Sequence, residues 1–128
     1  MTKSRQEMPI QFQAEMVKAI ADGKKNITRR ICKKDKCRWC HFEAGTILWV
    51  KPETVFPRRH AELFLQVVFI GALEPLQAIS EDDIIQEGFD LGNPVSNMQA
   101  FIYFWNSCHG ADSWNKNPLV HVIEFKKL

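Results

Sequence analysis

No apolar run in this 128-residue sequence approaches the ~20 residues that a membrane-spanning helix requires. The opening MTKSRQEMPI lacks the apolar stretch of a secretory signal, so the chain is expected to stay in the cytoplasm. No internal repeat, low-complexity tract or Ser/Gly-rich linker divides it, and 128 residues make one domain's worth of chain. With 45% hydrophobic and 25% charged residues the composition is that of a globular protein, not a disordered one. A domain of this length buries roughly two-thirds of its unfolded surface and needs no covalent staples. In a reducing compartment the four cysteines are therefore expected to be free, catalytic or metal-bound before they are disulfides.

Net charge is only +2, but it is unevenly spread. Lys24, Lys25, Arg29, Arg30, Lys33, Lys34, Lys36 and Arg38 stand against the single acid Asp35, a local net of +7. The remaining nine basic and fourteen acidic residues leave −5 on the rest of the chain. A block this polarised, interleaved with Trp39, His41 and Phe42, suits a polyanion or is a solvated basic face.

Ile10 and Phe12 alternate with Gln11 and Gln13 after Pro9, a short strand pattern. From Ala14 to Asp22 the period becomes helical, with Met16, Ala19 and Ile20 on one face and Gly23 at the left-handed C-cap position. Gly45 opens a turn into a strand over Ile47 to Val50, which must end by Pro52. Leu63 to Ile70 is nearly continuous and apolar, and reads as a strand buried on both faces. Ser80 with Asp83 begins a short helix that Gly88 ends. Ser96 with Gln99 starts a longer one, with Met98, Phe101, Ile102 and Trp105 as its buried stripe. Val120 to Phe125 alternates as a closing strand. Strands scattered among helices without a βαβ rhythm predict an α+β fold, a small curved sheet or barrel with helices around it.

These residues resemble the ASCH domain family, in which a G-x-K-x-x-T-x-R element follows the first helix; Gly23, Lys25, Thr28 and Arg30 fill its four places. Cys40 through Val50 is similar to a glycine and Leu-Trp-Val strand segment common in phage-encoded members, with Lys51-Pro52-Glu53 where those carry Arg-Glu. Ile79 to Gly88 resembles the family's short helix ending in Glu-Gly, and Asn117 to Phe125 its closing strand. The resemblance runs nearly the whole chain, in order. Residues 32–41, which are Cys-rich and basic, are an insert outside the family's core pattern. It implies a single PUA-like domain over residues 1–128, a small β-barrel flanked by helices, of phage type. Family members are linked to RNA, and one bacterial branch hydrolyses N(4)-acetylcytidine to cytidine and acetate.

Lys25 and Thr28 lie three apart just past a helix end, a spacing that lets an amine reach a neighbouring hydroxyl. A neutral lysine would activate the threonine oxygen, given a pKa lowered by burial and by the nearby cations Arg29, Arg30 and Lys24. Resemblance to the amidohydrolase branch implies Lys25 as base, Thr28 as nucleophile and Glu87 as proton donor, with Arg30 contacting substrate. Arg29, Lys24 and Trp49 join Arg30 as candidate substrate-binding residues. In the competing reading Lys25 and Arg30 contact phosphate, Thr28 bonds the backbone, and Glu87 is a salt-bridge partner. The hydrolysis itself requires no cofactor.

Cys32, Cys37 and Cys40 have C-x4-C-x2-C spacing and are candidate zinc ligands, with a fourth from His41, His60, Cys108 or His109. No second C-x-x-C pair is present, and free surface thiols are the competing reading. Trp49, Trp105 and Trp114 read as core or cleft-lining. Trp39 would stack on a base or cover the barrel. His60 extends a basic surface beside Arg58 and Arg59, and His121 is a structural histidine with its bonds satisfied. The functions left open are an amidohydrolase acting on an acylated cytosine, a non-catalytic RNA-binding module, and a regulatory phage protein. The expected partner is RNA or a modified nucleoside, with no membrane.

Overall fold

The computed structural model describes residues 6–34 and 37–128, so Asp35 and Lys36 of the basic block lie outside the described residues. The elements follow the sequence as β1 (Glu7–Gln11), α1 (Ala14–Ala21), β2 (Ile27–Ile31), β3 (Ile47–Lys51), β4 (Phe64–Ile70), β5 (Glu74–Pro75), α2 (Glu81–Gln86), α3 (Pro94–His109), α4 (Ser113–Lys116) and β6 (Leu119–Lys127). Short 3-10 turns occupy Arg38–His41, Arg58–His60 and Leu76–Ala78. Among the described residues no helix is long and apolar enough to cross a membrane.

One mixed sheet runs β1-β3-β4-β6-β2, with the two-residue β5 added to β6. β1 lies parallel to β3, from Glu7 beside Ile47 to Gln11 beside Lys51, and the other pairings are antiparallel. The sheet curls into a half-barrel whose two ends, β1 and β2, share no strand pairing among the described residues. The class is α+β, a small barrel flanked by helices.

Inside the curl Ile10, Phe12, Met16, Ile20, Leu48, Val50, Leu65, Val67, Ile123 and Phe125 form one core. A second core, of Leu76, Ile79, Ile84, Phe101, Trp105 and Val120, seats α2 and α3 on the outside. β6 lies between the two cores, with Ile123 and Phe125 in one and Val120 in the other. It is therefore the strand covered on both faces. β4, for which that was expected, buries Leu65 and Val67 but leaves Val68 and Phe69 half exposed. The reason is a register shift between Val67 and Phe69, which breaks the inward alternation.

The helix ends follow local chemistry. Gly23, at φ +77°, turns the chain out of α1, and the N–H of Lys24 closes onto the Ala19 carbonyl at 2.8 Å. Ser80 caps α2 by accepting from the N–H of Asp83. α3 begins earlier than its Ser96/Gln99 pattern suggested. Asn93 accepts from the N–H groups of Val95 and Ser96, and Pro94 takes the first helical position, where a missing N–H costs nothing.

Candidate functional site

A cleft of about 280 Å³ opens where the start of α1, the start of β2, the end of α2 and the inner face of α3 converge. β1 and α1 contribute Gln11, Phe12, Gln13 and Met16; the chain around β2 contributes Lys25, Thr28, Arg29 and Arg30. Glu87 comes from the end of α2, and Phe101, Phe104, Trp105, Cys108 and His109 from α3. The structure thus gathers Lys25, Thr28, Arg29, Arg30 and Glu87 around one cavity. Lys24 is exposed and outside it, and Trp49 lies half-buried on β3 between Pro9 and Phe64, also outside it.

Lys25 and Glu87 are each 4% exposed. The Lys25 Nζ donates to Glu87 Oε1 at 2.8 Å and to the Glu87 carbonyl at 2.9 Å. Burial pulls the Lys25 pKa below its usual 10.5; Glu87 opposes the shift, and Arg30 and Arg29 add to it. Gly88 follows Glu87 directly, in a backbone conformation that favours glycine. Its φ of +110° is costly for any other residue, and a Cβ placed there would already touch the Lys25 Cβ at 3.6 Å.

Glu87 also accepts from Arg29 Nη1 at 3.0 Å through its other oxygen. Arg29 further pairs with Asp83 at 2.5 Å and Glu74 at 3.2 Å, while its buried Nε has no hydrogen-bond partner among the described residues. Both carboxylate oxygens of Glu87 are thus engaged by cations, one by Lys25 and one by Arg29. Thr28 is 4% exposed and lines the cavity beside them. The expected Lys25-to-Thr28 hydrogen bond is not among the contacts of the described residues.

Arg30 forms the outer wall. Its guanidinium lies over Phe12 at 4.8 Å and Trp39 at 5.1 Å, and donates to the Gln11 carbonyl at 2.8 Å. Burial lowers its pKa to about 10, with Glu87 opposing. Trp39 packs edge-on against Phe42, so it covers the barrel as one of its two expected readings had it. Cys108 and His109 belong to the cleft, where Gln13 donates to the Cys108 sulfur at 3.1 Å and His109 stacks on Trp105 at 4.1 Å. Burial raises the Cys108 pKa and lowers that of His109, which disfavours a reactive thiolate at this place. Helical spacing from Phe101 through Trp105 to Cys108 was the signal that could have placed them here.

The remaining cysteines converge on β6. The Sγ atoms of Cys37 and Cys40 each lie 3.3 Å from His121 Nε2, and Cys32 Sγ lies 3.8 Å from Cys40 Sγ. All four ligand atoms fall within 4.8 Å of one another, so this group could hold a metal ion. The fourth member is His121, not His41, His60, Cys108 or His109. His41 and His60 are exposed on 3-10 turns, and Cys108 and His109 face the cleft. Desolvation works against ionisation of Cys37, yet backbone hydrogen bonding from Lys33 and contacts with Cys40 and His121 draw its pKa down to about 6. Cys40 is pushed up to about 12, first by its contact with Cys37.

No family model matches this chain, and no curated protein does. Solved structures share its fold. An ASCH domain from Lactobacillus crispatus JV V101 is similar with a TM-score of 0.67 and 15% identity, over 95% of this chain and 79% of that one. The hypothetical protein PH0355 gives 0.64 and 15%, over 95% and 99%. Protein EF3133 from Enterococcus faecalis V583 gives 0.59 and 12%, over 99% and 82%. At such identities the likeness is one of fold, and the fold of this chain is that of an ASCH domain.

Proposed function

We propose that the cleft binds a single modified nucleoside and that Lys25 and Thr28 hydrolyse an acyl amide on it, with N(4)-acetylcytidine as the substrate the ASCH resemblance favours. The observation that carries this reading is the buried Lys25 amine, anchored twice on Glu87 in a cavity that Thr28 also lines. A cavity near the low end of the ~300–1,000 Å³ range of small-molecule clefts suits one nucleoside, not a structured RNA.

In its neutral form the amine needs only two N–H groups for the two Glu87 acceptors, which leaves a lone pair for the Thr28 proton. The threonine oxygen then attacks the acetyl carbonyl, and Arg30 is the nearby cation for the developing oxyanion. Collapse expels the exocyclic nitrogen, which takes its proton back from Lys25. Water cleaves the acetyl-threonine ester with Lys25 again as base, releasing acetate and restoring both residues.

Deacetylation of N(4)-acetylcytidine, followed by absorbance, tests the reading. Thr28→Ala and Lys25→Ala should each abolish turnover, because nucleophile and base act as a unit. Glu87→Gln should slow it while leaving binding nearly intact. Turnover that survives Thr28→Ala would discard the mechanism. The second reading, a non-catalytic RNA- or nucleoside-binding module, is favoured by the ion pairs of Glu87 with Lys25 and Arg29, which suit a purely structural carboxylate. Nucleoside binding without turnover by the unaltered protein would establish it.

A further inference from the structure

We propose that Cys32, Cys37, Cys40 and His121 bind one zinc ion, which locks the basic insert onto β6 so that Arg38 and Trp39 close the seam between β1 and β2.

The four donor atoms lie within 4.8 Å of one another, and three of their contacts match a single four-coordinate ion. Zinc–sulfur bonds of ~2.3 Å and a zinc–nitrogen bond of ~2.0–2.1 Å place tetrahedral donors about 3.8 Å apart for two sulfurs and about 3.5 Å for sulfur and nitrogen. The structure has 3.8 Å between Cys32 and Cys40, and 3.3 Å from His121 to each of Cys37 and Cys40. A disulfide would need sulfurs ~2.05 Å apart. Three thiolates and an imidazole form a soft donor set that suits zinc. With all four positions filled by protein, no site is left for water or substrate, so the role is structural.

The surrounding fold says what the ion would do. The described part of the insert buries one hydrophobic side chain, Cys37 itself, and its 3-10 turn Arg38–His41 buries none. It has no apolar core to fold around. His121 pairs across the ladder with Arg30, so the anchor on β6 stands beside the arginine that walls the cleft. Arg38 and Trp39 lie between ligands Cys37 and Cys40, and fixing those two sulfurs fixes the residues between them. Arg38 then donates to the Pro9 carbonyl of β1 at 2.7 Å while lying over Trp39 at 4.8 Å. Trp39 in turn covers Arg30, which reaches the Gln11 carbonyl of the same strand. Two arginine side chains thus bridge an edge where the half-barrel has no strand pairing. None of this depends on what the cleft binds.

The test uses the whole chain purified without chelator. Metal analysis should find about one zinc per chain in the unaltered protein and in Cys108→Ser, and a loss of most of it in Cys40→Ser and His121→Asn. Should those variants fail to fold, cobalt added to the metal-free protein gives the absorption of a tetrahedral thiolate site. Alkylation of the native protein should label Cys108 alone, and all four cysteines after chelation. Amide exchange in β1 and the insert should quicken about tenfold or more when the metal is removed, with β4 still protected. No zinc with all four thiols reacting freely, or full zinc in both ligand variants, overturns the site. Bound zinc whose removal leaves exchange in β1 unchanged overturns the seam-closing role.

Discussion

Lys25 is the residue whose position asks most of the chain around it. A buried amine is stable only with hydrogen-bond partners, and it has two, both on Glu87, sixty-two residues away. Glu87 is the last-turn cap of α2, just before Gly88, and its backbone carbonyl and its carboxylate both reach the one nitrogen. Burial lowers the pKa of Lys25, and the proposed role as base fixes the sign of the consequence. A general base works only when unprotonated, so kcat/KM for nucleoside deacylation should rise with pH, about tenfold per unit below the Lys25 pKa, and level off above it. The rise should end below the 10.5 of an ordinary lysine. A profile that falls with rising pH across this range would remove Lys25 from the role of base, whatever the other residues do.

Among the elements, α3 carries the back wall of the cleft, and its first turn decides where that wall starts. Asn93 satisfies two of the helix's free N–H groups, so Asn93→Ala should cost about 1 kcal/mol in denaturant unfolding, whereas Ser96→Ala should change little. Equal losses from the two would put the cap back at Ser96. Strand and helix order was legible because hydrophobic period and turn residues are local, as at Gly23, Ser80 and Gly88. The same locality placed Lys25, Thr28 and Arg30 together, with Glu87 supplied by the family resemblance. What stayed hidden was pairing. His121 becomes a neighbour of the insert only because β6 sets it opposite Arg30, a register that no spacing within either strand reveals. Trp49 is a related case, for the register of β3 sets it beside Pro9 and Phe64, and it does not line the cleft.

At the scale of the whole molecule, folding spends much of the basic block inwardly. Lys25 and Arg29 are buried in ion pairs, and Arg30 lies half-buried between aromatic rings. Lys24, Lys33, Lys34 and Arg38 remain exposed among the described residues, and Lys36 lies outside them. Each phosphate neutralised on a single strand contributes about −0.7 to the slope of log affinity against log salt. Four exposed charges of the block therefore allow it about −2.8, about half of what all eight of its basic residues would give. Single-stranded RNA binding measured from low to physiological salt should show that shallow slope, and replacing Lys33 and Lys34 by glutamine should flatten it by about 1.4. An uncharged nucleoside, held by the cleft alone, should bind with little salt dependence. A slope much steeper than about −2.8 would bring in basic residues beyond these four, and Lys25 and Arg29 are held back from phosphate by their two buried ion pairs with Glu87. RNA binding without any salt dependence would make the basic face a solvated surface and leave the cleft as the site of recognition.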